Sequence, residues 1–173
     1  MSTRIFKVLS KEKQNEFYKL YGNLDGFEYG SLNERIVDEV TISYFDHWLD
    51  ESEYHLLDKV DKIEHEKRRQ RFHSFYKELS SAYSLYSYRT HGKKRNKIQF
   101  RSFTSKDAMD KYFENVDLKK SKSTYPKILI PECNAVIHEG YDYCAYLGFS
   151  ARGDVSLLMS LLEKHCLYAL DRN

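Results

Sequence analysis

Apolar residues at the start of the chain follow a strand pattern and then a helical one. Residues 4–9 form a short alternating run that predicts a strand. Ser10 is placed to be the N-cap of the helix that follows, and Gly22 with Asn23 ends that helix. One side of the helix carries Phe17, Leu20 and Tyr21.

A second helix is predicted after a capping box formed by Ser31 and Glu34, whose side chains satisfy each other's free backbone N–H groups. Behind the box, four apolar residues recur at spacings of 3, 4 and 4, which is the period of one helical face. These residues are Val37, Val40, Tyr44 and Trp48. Their regularity makes this helix the best-specified element in the first half.

Another capping signal at Asp50–Glu53 predicts a helix that continues through Leu56, Val60 and Ile63. A polar run over residues 64–71 then precedes a second apolar stripe. That stripe consists of Phe72, Phe75, Tyr76 and Leu79.

The two stripes are out of phase, so the helix either breaks or connects two apolar clusters. Phe72 is nine residues after Ile63, which at about 100° per residue is half a turn. Two i,i+4 pairs of opposite charge favour continuity, and they are Asp58 with Lys62 and Glu64 with Arg68. We therefore predict one long helix.

The middle of the chain predicts a β-hairpin with a basic tip. Residues 83–89 are rich in β-formers, and residues 97–103 alternate polar and apolar side chains, so Lys97, Gln99 and Arg101 share one strand face. Residues 91–96 form the connecting turn. A short helix follows, capped by Thr104 or Ser105. Its inward side chains are Met109, Tyr112 and Phe113. Residues 119–124 form a polar loop.

The last third predicts the centre of a sheet. A strand over residues 127–130 ends at Pro131, and residues 135–139 and 143–149 form a second hairpin around residues 140–142. The later strand is apolar on both faces, which places it centrally. Asp154 caps a final helix, whose inward residues are Val155, Leu158, Leu161, Leu162 and Cys166.

The order of these elements predicts a single α+β domain over residues 1–173. N-terminal helices precede a mostly antiparallel sheet of two hairpins, which a C-terminal helix closes. With 41% hydrophobic and 31% charged residues, the composition is that of a folded domain rather than a disordered chain. A chain of 173 residues buries enough surface to be stable without disulfides or metals.

A cytoplasmic location is expected from the apolar runs and the cysteines. The longest apolar stretch, residues 155–162, is far shorter than the roughly 20 residues that span a bilayer, and no secretory leader pattern opens the chain. The three cysteines are Cys133, Cys144 and Cys166. Their odd number and wide spacing favour free thiols, and the latter two fall in predicted buried elements.

Charge is segregated along the chain although the net charge is only +2. Residues 1–61 hold 7 Lys and Arg against 13 Asp and Glu, and residues 128–173 hold 3 against 6. Residues 62–127 hold 18 against 7, a net charge of +11. This basic block either faces a polyanion or an acidic protein, or it packs beside the acidic first third so that the two screen each other.

Sequence motifs for cofactor or metal chemistry are absent. There is no glycine-rich phosphate loop, no Cys-x-x-Cys and no His-Glu-x-x-His. His55, His65 and His73 are spaced by ten and eight residues, which does not place three ligands at metal distance on one helical face. We predict neither a metal site nor a cofactor.

One pair has the spacing of a catalytic motif. Arg68 and His73 match the Arg-x4-His spacing of HEPN ribonucleases, which cleave RNA without a metal. However, Arg69 replaces the polar residue that usually follows the motif arginine, and the β-rich second half departs from the all-helical fold of that family. The pair supports only a third-ranked hypothesis, a metal-independent ribonuclease, and we predict no catalytic residue.

Basic residues form the candidate binding set. Those in the polar run are Arg68, Arg69 and Arg71. Those in the hairpin are Arg89, Lys93, Lys94, Arg95, Lys97 and Arg101, interleaved with Tyr86 and Tyr88. Cationic groups neutralise phosphates and rings stack on bases, so this pattern is typical of an RNA or single-strand surface. Lysine-rich hairpin tips also occur merely to keep sheet edges soluble.

The absence of catalytic motifs, the 15 tyrosines and 10 phenylalanines, and the opposed charge blocks favour a macromolecule-binding protein. The leading hypothesis is a non-enzymatic module that binds a protein with an acidic surface, as immunity and anti-defence proteins do. The alternative is a nucleic-acid-binding protein that uses the basic aromatic hairpin 83–103. Membrane association is not expected.

Overall fold

A single eight-stranded sheet organises the part of the chain that the structure describes. The computed structural model describes residues 4–22, 24, 35–91, 97–116, 126–138, 140 and 142–171. The strands are β1 (Phe6–Val8), β2 (Asp38–Ser43), β3 (Tyr86–His91), β4 (Lys97–Phe103), β5 (Ile128–Ile130), β6 (Ala135–His138), β7 (Cys144–Phe149) and β8 (Tyr168–Asp171). The helices are α1 (Lys11–Tyr21), α2 (His55–Asp58), α3 (Lys62–Ala82), α4 (Lys106–Glu114) and α5 (Ser156–Lys164).

All the strand pairs are antiparallel, in the order β1-β4-β3-β5-β6-β7-β2-β8. The α+β prediction is therefore confirmed. Within the described residues, no helix combines the length and the apolar character needed to cross a bilayer.

The sheet separates two apolar cores. On one face, α3, α4 and α5 pack against side chains such as Ile42, Ile137 and Leu147. On the other face, α1 packs its Phe17 and Tyr21 against Tyr88 and Phe100. Because successive strand residues point to opposite faces, the strands β4, β5 and β6 supply side chains to both cores.

The helix α1 has the predicted ends. The Ser10 hydroxyl accepts the backbone N–H of Lys13 at 3.3 Å. Gly22 ends the helix with φ 64° and ψ −149°, a backbone conformation that is essentially restricted to glycine. Phe17 and Tyr21 are buried, as the spacing predicted.

The predicted second helix is wrong, because Asp38–Ser43 is the strand β2. Its neighbours in the sheet are β7 and β8, and both of its faces are buried. Three of its residues, Val40, Thr41 and Ile42, are β-branched and suit a strand better than a helix. The Ser31–Glu34 capping box lies outside the described residues.

The prediction of one long helix is also wrong, because residues Lys59–Asp61 are not helical and separate two helices. The Asp50–Glu53 capping box forms, but it opens a 3₁₀ turn over Glu51–Glu53 and then the single turn α2. The helix α3 starts separately, with Asp61 as its N-cap. Because the helix is interrupted, the two apolar stripes need not lie on one helical face. Ile63, at the start of α3, is 82% exposed.

The strands of the second half match their predictions. The two hairpins form as β3–β4 and β6–β7, and β7 is an interior strand between β6 and β2. Ser105 caps α4. The N-cap of α5 is Val155 and not Asp154 as predicted, although the Asp154 carboxylate accepts the Ser156 N–H at 3.0 Å. The polar loop over residues 119–124 lies outside the described residues.

The final helix does not close the fold, because the strand β8 follows α5 and pairs with β2. Cys166, predicted to face inward, is exposed in the connection between α5 and β8. All three cysteines are free thiols.

Cys166 has a φ of 52°, in the left-handed region that glycine adopts most easily. Because the side chain is exposed, Cys166→Gly is expected to raise the free energy of unfolding by about 0.5–1 kcal/mol, measured by urea denaturation. The matched control is Glu163→Gly inside α5, which should lower it by about 1 kcal/mol. A destabilised Cys166→Gly variant would contradict the strain argument.

Candidate interaction surface

The arginines of α3 do not form the exposed patch that the sequence suggested. Arg68 is only 4% exposed, and its Nε lies 3.0 Å from Oε1 of Glu64. Its Nη1 donates to the carbonyl of Leu56 at 2.9 Å. The guanidinium lies 4.9 Å from the ring centre of Tyr44 and 4.7 Å from that of Tyr143. Its bond to Glu64 is the main reason that the pKa of this carboxyl is lowered.

Arg69 and Arg71 are also engaged within the chain. Arg69 donates to both carboxylate oxygens of Glu66, at 2.8 and 2.7 Å, and these bonds are the main cause that lowers the pKa of Glu66 to about 2. Arg71 lies over the Tyr44 ring and donates to the carbonyl of Cys166 at 3.1 Å. All three α3 arginines are therefore engaged within the chain and are not part of the candidate surface.

The Arg-x4-His pair does not share a site. Arg68 packs against Tyr44 and Tyr143 and is not among the residues that line the small cavity of His73, although Tyr143 borders both. That cavity has a volume of only about 10 Å³. This is roughly the space of one water molecule and leaves no room for a phosphodiester.

The tyrosines of the basic hairpin point away from its basic face. Tyr88 is fully buried, and the ring of Tyr86 contacts that of Phe17 on α1, with 4.8 Å between their centres. Phe100 is buried in the same core. These rings belong to the core under α1 and do not offer stacking surfaces to bases.

The opposite face of the hairpin is basic and partly open. Lys97, Gln99 and Arg101 share this face of β4, as predicted, and Arg89 lies opposite Gln99 on β3. Together with the start of the chain they form a groove of about 350 Å³. The groove is lined by Arg4, Ile5, Phe6, Val8, Arg89, Gln99 and Arg101, and we call it the basic groove.

Arg101 is the fixed cation of the basic groove. Its guanidinium carbon lies 3.9 Å from the ring centre of Phe6, and one nitrogen donates to the Ser87 hydroxyl and to the Tyr88 carbonyl, both at 3.1 Å. Arg89 is exposed, and its Nε donates to the side-chain oxygen of Gln99 at 2.9 Å. Both guanidinium groups are therefore oriented by uncharged partners.

The basic groove holds positive charge that its own walls do not neutralise. No Asp or Glu occurs among the described residues that line it. Burial, with the repulsion of Arg89, lowers the pKa of Arg101, while Tyr112 acts in the opposite direction. A guanidinium stays charged under all ordinary conditions, so the groove is suited to an anionic group.

The two basic regions lie at opposite ends of the sheet. The basic groove is formed by β1, β4 and β3, whereas Arg68 and Arg71 of α3 contact residues beside β2, β7 and β8. Lys93, Lys94 and Arg95 lie outside the described residues, so the structure does not place them.

The sequence did not indicate the apolar floor of the basic groove. Ile5, Phe6 and Val8 were recognised as a short strand, but no local signal showed that β1 pairs with β4, almost a hundred residues later. Within the described ranges, no cluster of three or more His, Cys, Asp or Glu side chains could hold a metal ion.

Comparisons with protein-family models, curated proteins and solved structures find no match to this chain. The case for a function therefore depends on the geometry of the basic groove.

Proposed function

We propose that this protein is a non-enzymatic binding module that holds an acidic segment of a partner protein in the basic groove. The observation that carries this proposal is the combination of Arg4, Arg89 and Arg101 around an apolar floor with no carboxylate among the described lining residues. Arginine forks bind carboxylates in a bidentate manner, which supplies both attraction and orientation.

The apolar floor favours a protein partner over a nucleic acid. Val8 is 38% exposed, and with Ile5 and Phe6 it offers a surface that apolar side chains of a partner can cover. Arginine and aromatic residues around a desolvated centre are typical of protein interfaces. A single-strand surface would need rings available to the bases, and Tyr86, Tyr88 and Phe100 pack under α1 instead.

A cytoplasmic location is part of this proposal. The three thiols are free, and burial is the main cause that raises the pKa of Cys133 to about 12. Free cysteines are typical of proteins that work in a reducing compartment.

The test reverses two exposed charges without disturbing the core. The groove variant combines Arg4→Glu and Arg89→Glu in the basic groove. The α3 control combines Lys62→Glu and Lys77→Glu, which change the net charge by the same amount. The probes are a fluorescent peptide of alternating Glu and Leu, its Lys and Leu counterpart, and a mixed 20-nucleotide RNA. Fluorescence anisotropy is measured from 50 to 300 mM salt.

The acidic peptide is expected to bind the natural chain and the α3 control equally, and the groove variant at least tenfold more weakly. The basic peptide should not bind. If the groove variant binds the acidic peptide as well as the natural chain does, the proposal fails. Preferential RNA binding that weakens with salt by a log–log slope of about −0.7 per phosphate would favour the nucleic-acid alternative instead.

A further inference from the structure

A second concave site lies at the other end of the sheet, beside β7 and β2. It is a cavity of about 270 Å³, close to the lower end of the roughly 300–1,000 Å³ found for small-ligand pockets. Its lining comprises Thr41, Ser43, Phe45, His47, Trp48, Leu49, Tyr54, Leu57, Asp142, Cys144 and Tyr146, and we call it the aromatic cavity. None of these residues belongs to the basic groove.

Four of the eleven residues that line the aromatic cavity are Phe, Tyr or Trp, and two of these four rings are unusually exposed. Trp48 is 50% exposed and Tyr54 is 49% exposed. The Trp48 ring is nevertheless fixed, because its indole N–H donates to the carbonyl of Asp171 on β8 at 3.0 Å. A large exposed ring that is held in place is prepared to contact a ligand rather than to fill the core.

The loop that carries these rings is braced by charged hydrogen bonds. His47 lies between two carboxylates, with Nδ1 2.6 Å from Asp46 and Nε2 3.0 Å from Glu53. Asp46 and then Glu53 raise the pKa of His47. The Asp50–Glu53 capping box fixes the following turn. The rings are therefore presented on a preorganised loop.

The charge around the aromatic cavity is negative. Asp142 lines it, and Asp46 and Glu53 together outweigh the positive charge that His47 can carry. No Lys or Arg is found among the described residues of the lining. Arg68 lies 5.1 Å from the ring centre of Phe45, but Glu64 neutralises its charge.

We propose that the aromatic cavity binds an alkylated ammonium group, as found in choline-like compounds and methylated amines. Such a cation is attracted to the faces of aromatic rings, and Trp gives the strongest interaction. A nearby carboxylate adds attraction without requiring a hydrogen bond from the ligand. The site is independent of the acidic partner proposed for the basic groove.

The test uses Trp48, the single tryptophan of the chain, as its own reporter. Tryptophan fluorescence is titrated with choline and, in parallel, with 3,3-dimethyl-1-butanol, which has the same shape without the charge. Choline is expected to change the emission in a saturable manner and to bind about tenfold tighter than the neutral compound. Glucose serves as a neutral polar ligand and should produce no saturable change.

Two variants locate the binding. Tyr54→Leu is expected to weaken choline binding about tenfold, whereas Tyr18→Leu, a similarly exposed tyrosine on α1, should leave it unchanged. Asp142 has a φ of 51°, which asparagine also tolerates, so Asp142→Asn removes the charge without new backbone strain. This variant should lose about threefold in affinity for choline and nothing for the neutral compound.

Equal affinity for choline and 3,3-dimethyl-1-butanol would overturn the proposal, because the cavity would then recognise only an apolar shape. The absence of a saturable response to 100 mM choline, or a saturable response to glucose alone, would overturn it as well. The thermal midpoint of each variant is first compared with that of the natural chain. A loss of binding that is caused by unfolding is then not attributed to the cavity.

Discussion

Replacing Arg68 with alanine is expected to lower the free energy of unfolding by about 3 kcal/mol. The side chain is almost fully buried, and its removal leaves Glu64 without its closest cation and the Leu56 carbonyl without its donor. It also removes the guanidinium that packs against Tyr44 and Tyr143. Glu64 is one-third exposed and keeps Lys67 at 3.6 Å, so most of this cost comes from the unpaired Leu56 carbonyl and from the space that is left between the rings. Guanidinium chloride denaturation followed by circular dichroism measures the change.

Arg69→Ala is the matched control, since its bidentate pair with Glu66 is at the surface. It is expected to cost less than about 1 kcal/mol. The free energy of unfolding of Arg68→Lys should be closer to that of Arg68→Ala than to that of the natural chain. Lysine keeps the charge but lacks the planar group that packs against the rings. A loss at Arg68 no larger than that at Arg69 would show that the burial of Arg68 contributes little to stability.

Replacing Gly140 with alanine is expected to cost about 3 kcal/mol for a different reason, the lack of space for a single carbon. A Cβ at this position would lie 2.1 Å from the carbonyl oxygen of Cys144 and 2.7 Å from the nitrogen of Ala145. Both atoms belong to the backbone of β7, whose residues Cys144 and Ala145 pair with Ser43 and Ile42 of β2. The clash therefore cannot be relieved by a side-chain rotation. It must shift the backbone of residue 140 or of the strand.

The control for Gly140→Ala has to separate the clash from glycine's effect on the unfolded chain. At an unstrained site, replacing glycine with alanine raises the free energy of unfolding by about 0.4–1 kcal/mol, because it restricts the unfolded chain. Ala151→Gly, in an exposed turn, should therefore lower the free energy of unfolding by the same amount. Both variants are compared by thermal and urea denaturation. If Gly140→Ala were neutral or stabilising, the close approach of residue 140 to β7 would be wrong.

The sequence correctly predicted those helices and hairpins that depend on residues close together in the chain. Ser10 and Ser105 cap their helices through hydrogen bonds that span three residues, and both hairpins join neighbouring segments. The error at β2 has a physical cause, because Val37, Val40, Tyr44 and Trp48 fit a helical period by spacing alone. What makes this segment a strand is its pairing with β7 and β8, and no local pattern encodes that contact.

The candidate surface was predicted only in part, for the same reason. Alternation along β4 correctly placed Lys97 and Arg101 on one face. Whether an arginine is free or buried depends on distant residues, and Arg68 is covered by Tyr143, far along the chain. The aromatic cavity was missed entirely, because its walls come from the segment after β2 and from β7, which only the sheet brings together.

The position of β2 in the sheet has a consequence for how the molecule folds. Both of its neighbours, β7 and β8, come from the chain beyond residue 143, so β2 cannot complete its pairing early. Closing such long loops is slow, because the entropy must be lost before any pairing compensates for it. Until then, a β-branched segment that is buried on both faces in the native sheet remains unpaired and available to other chains. A strand that is well protected in the folded protein is thus open to misassembly before folding is complete.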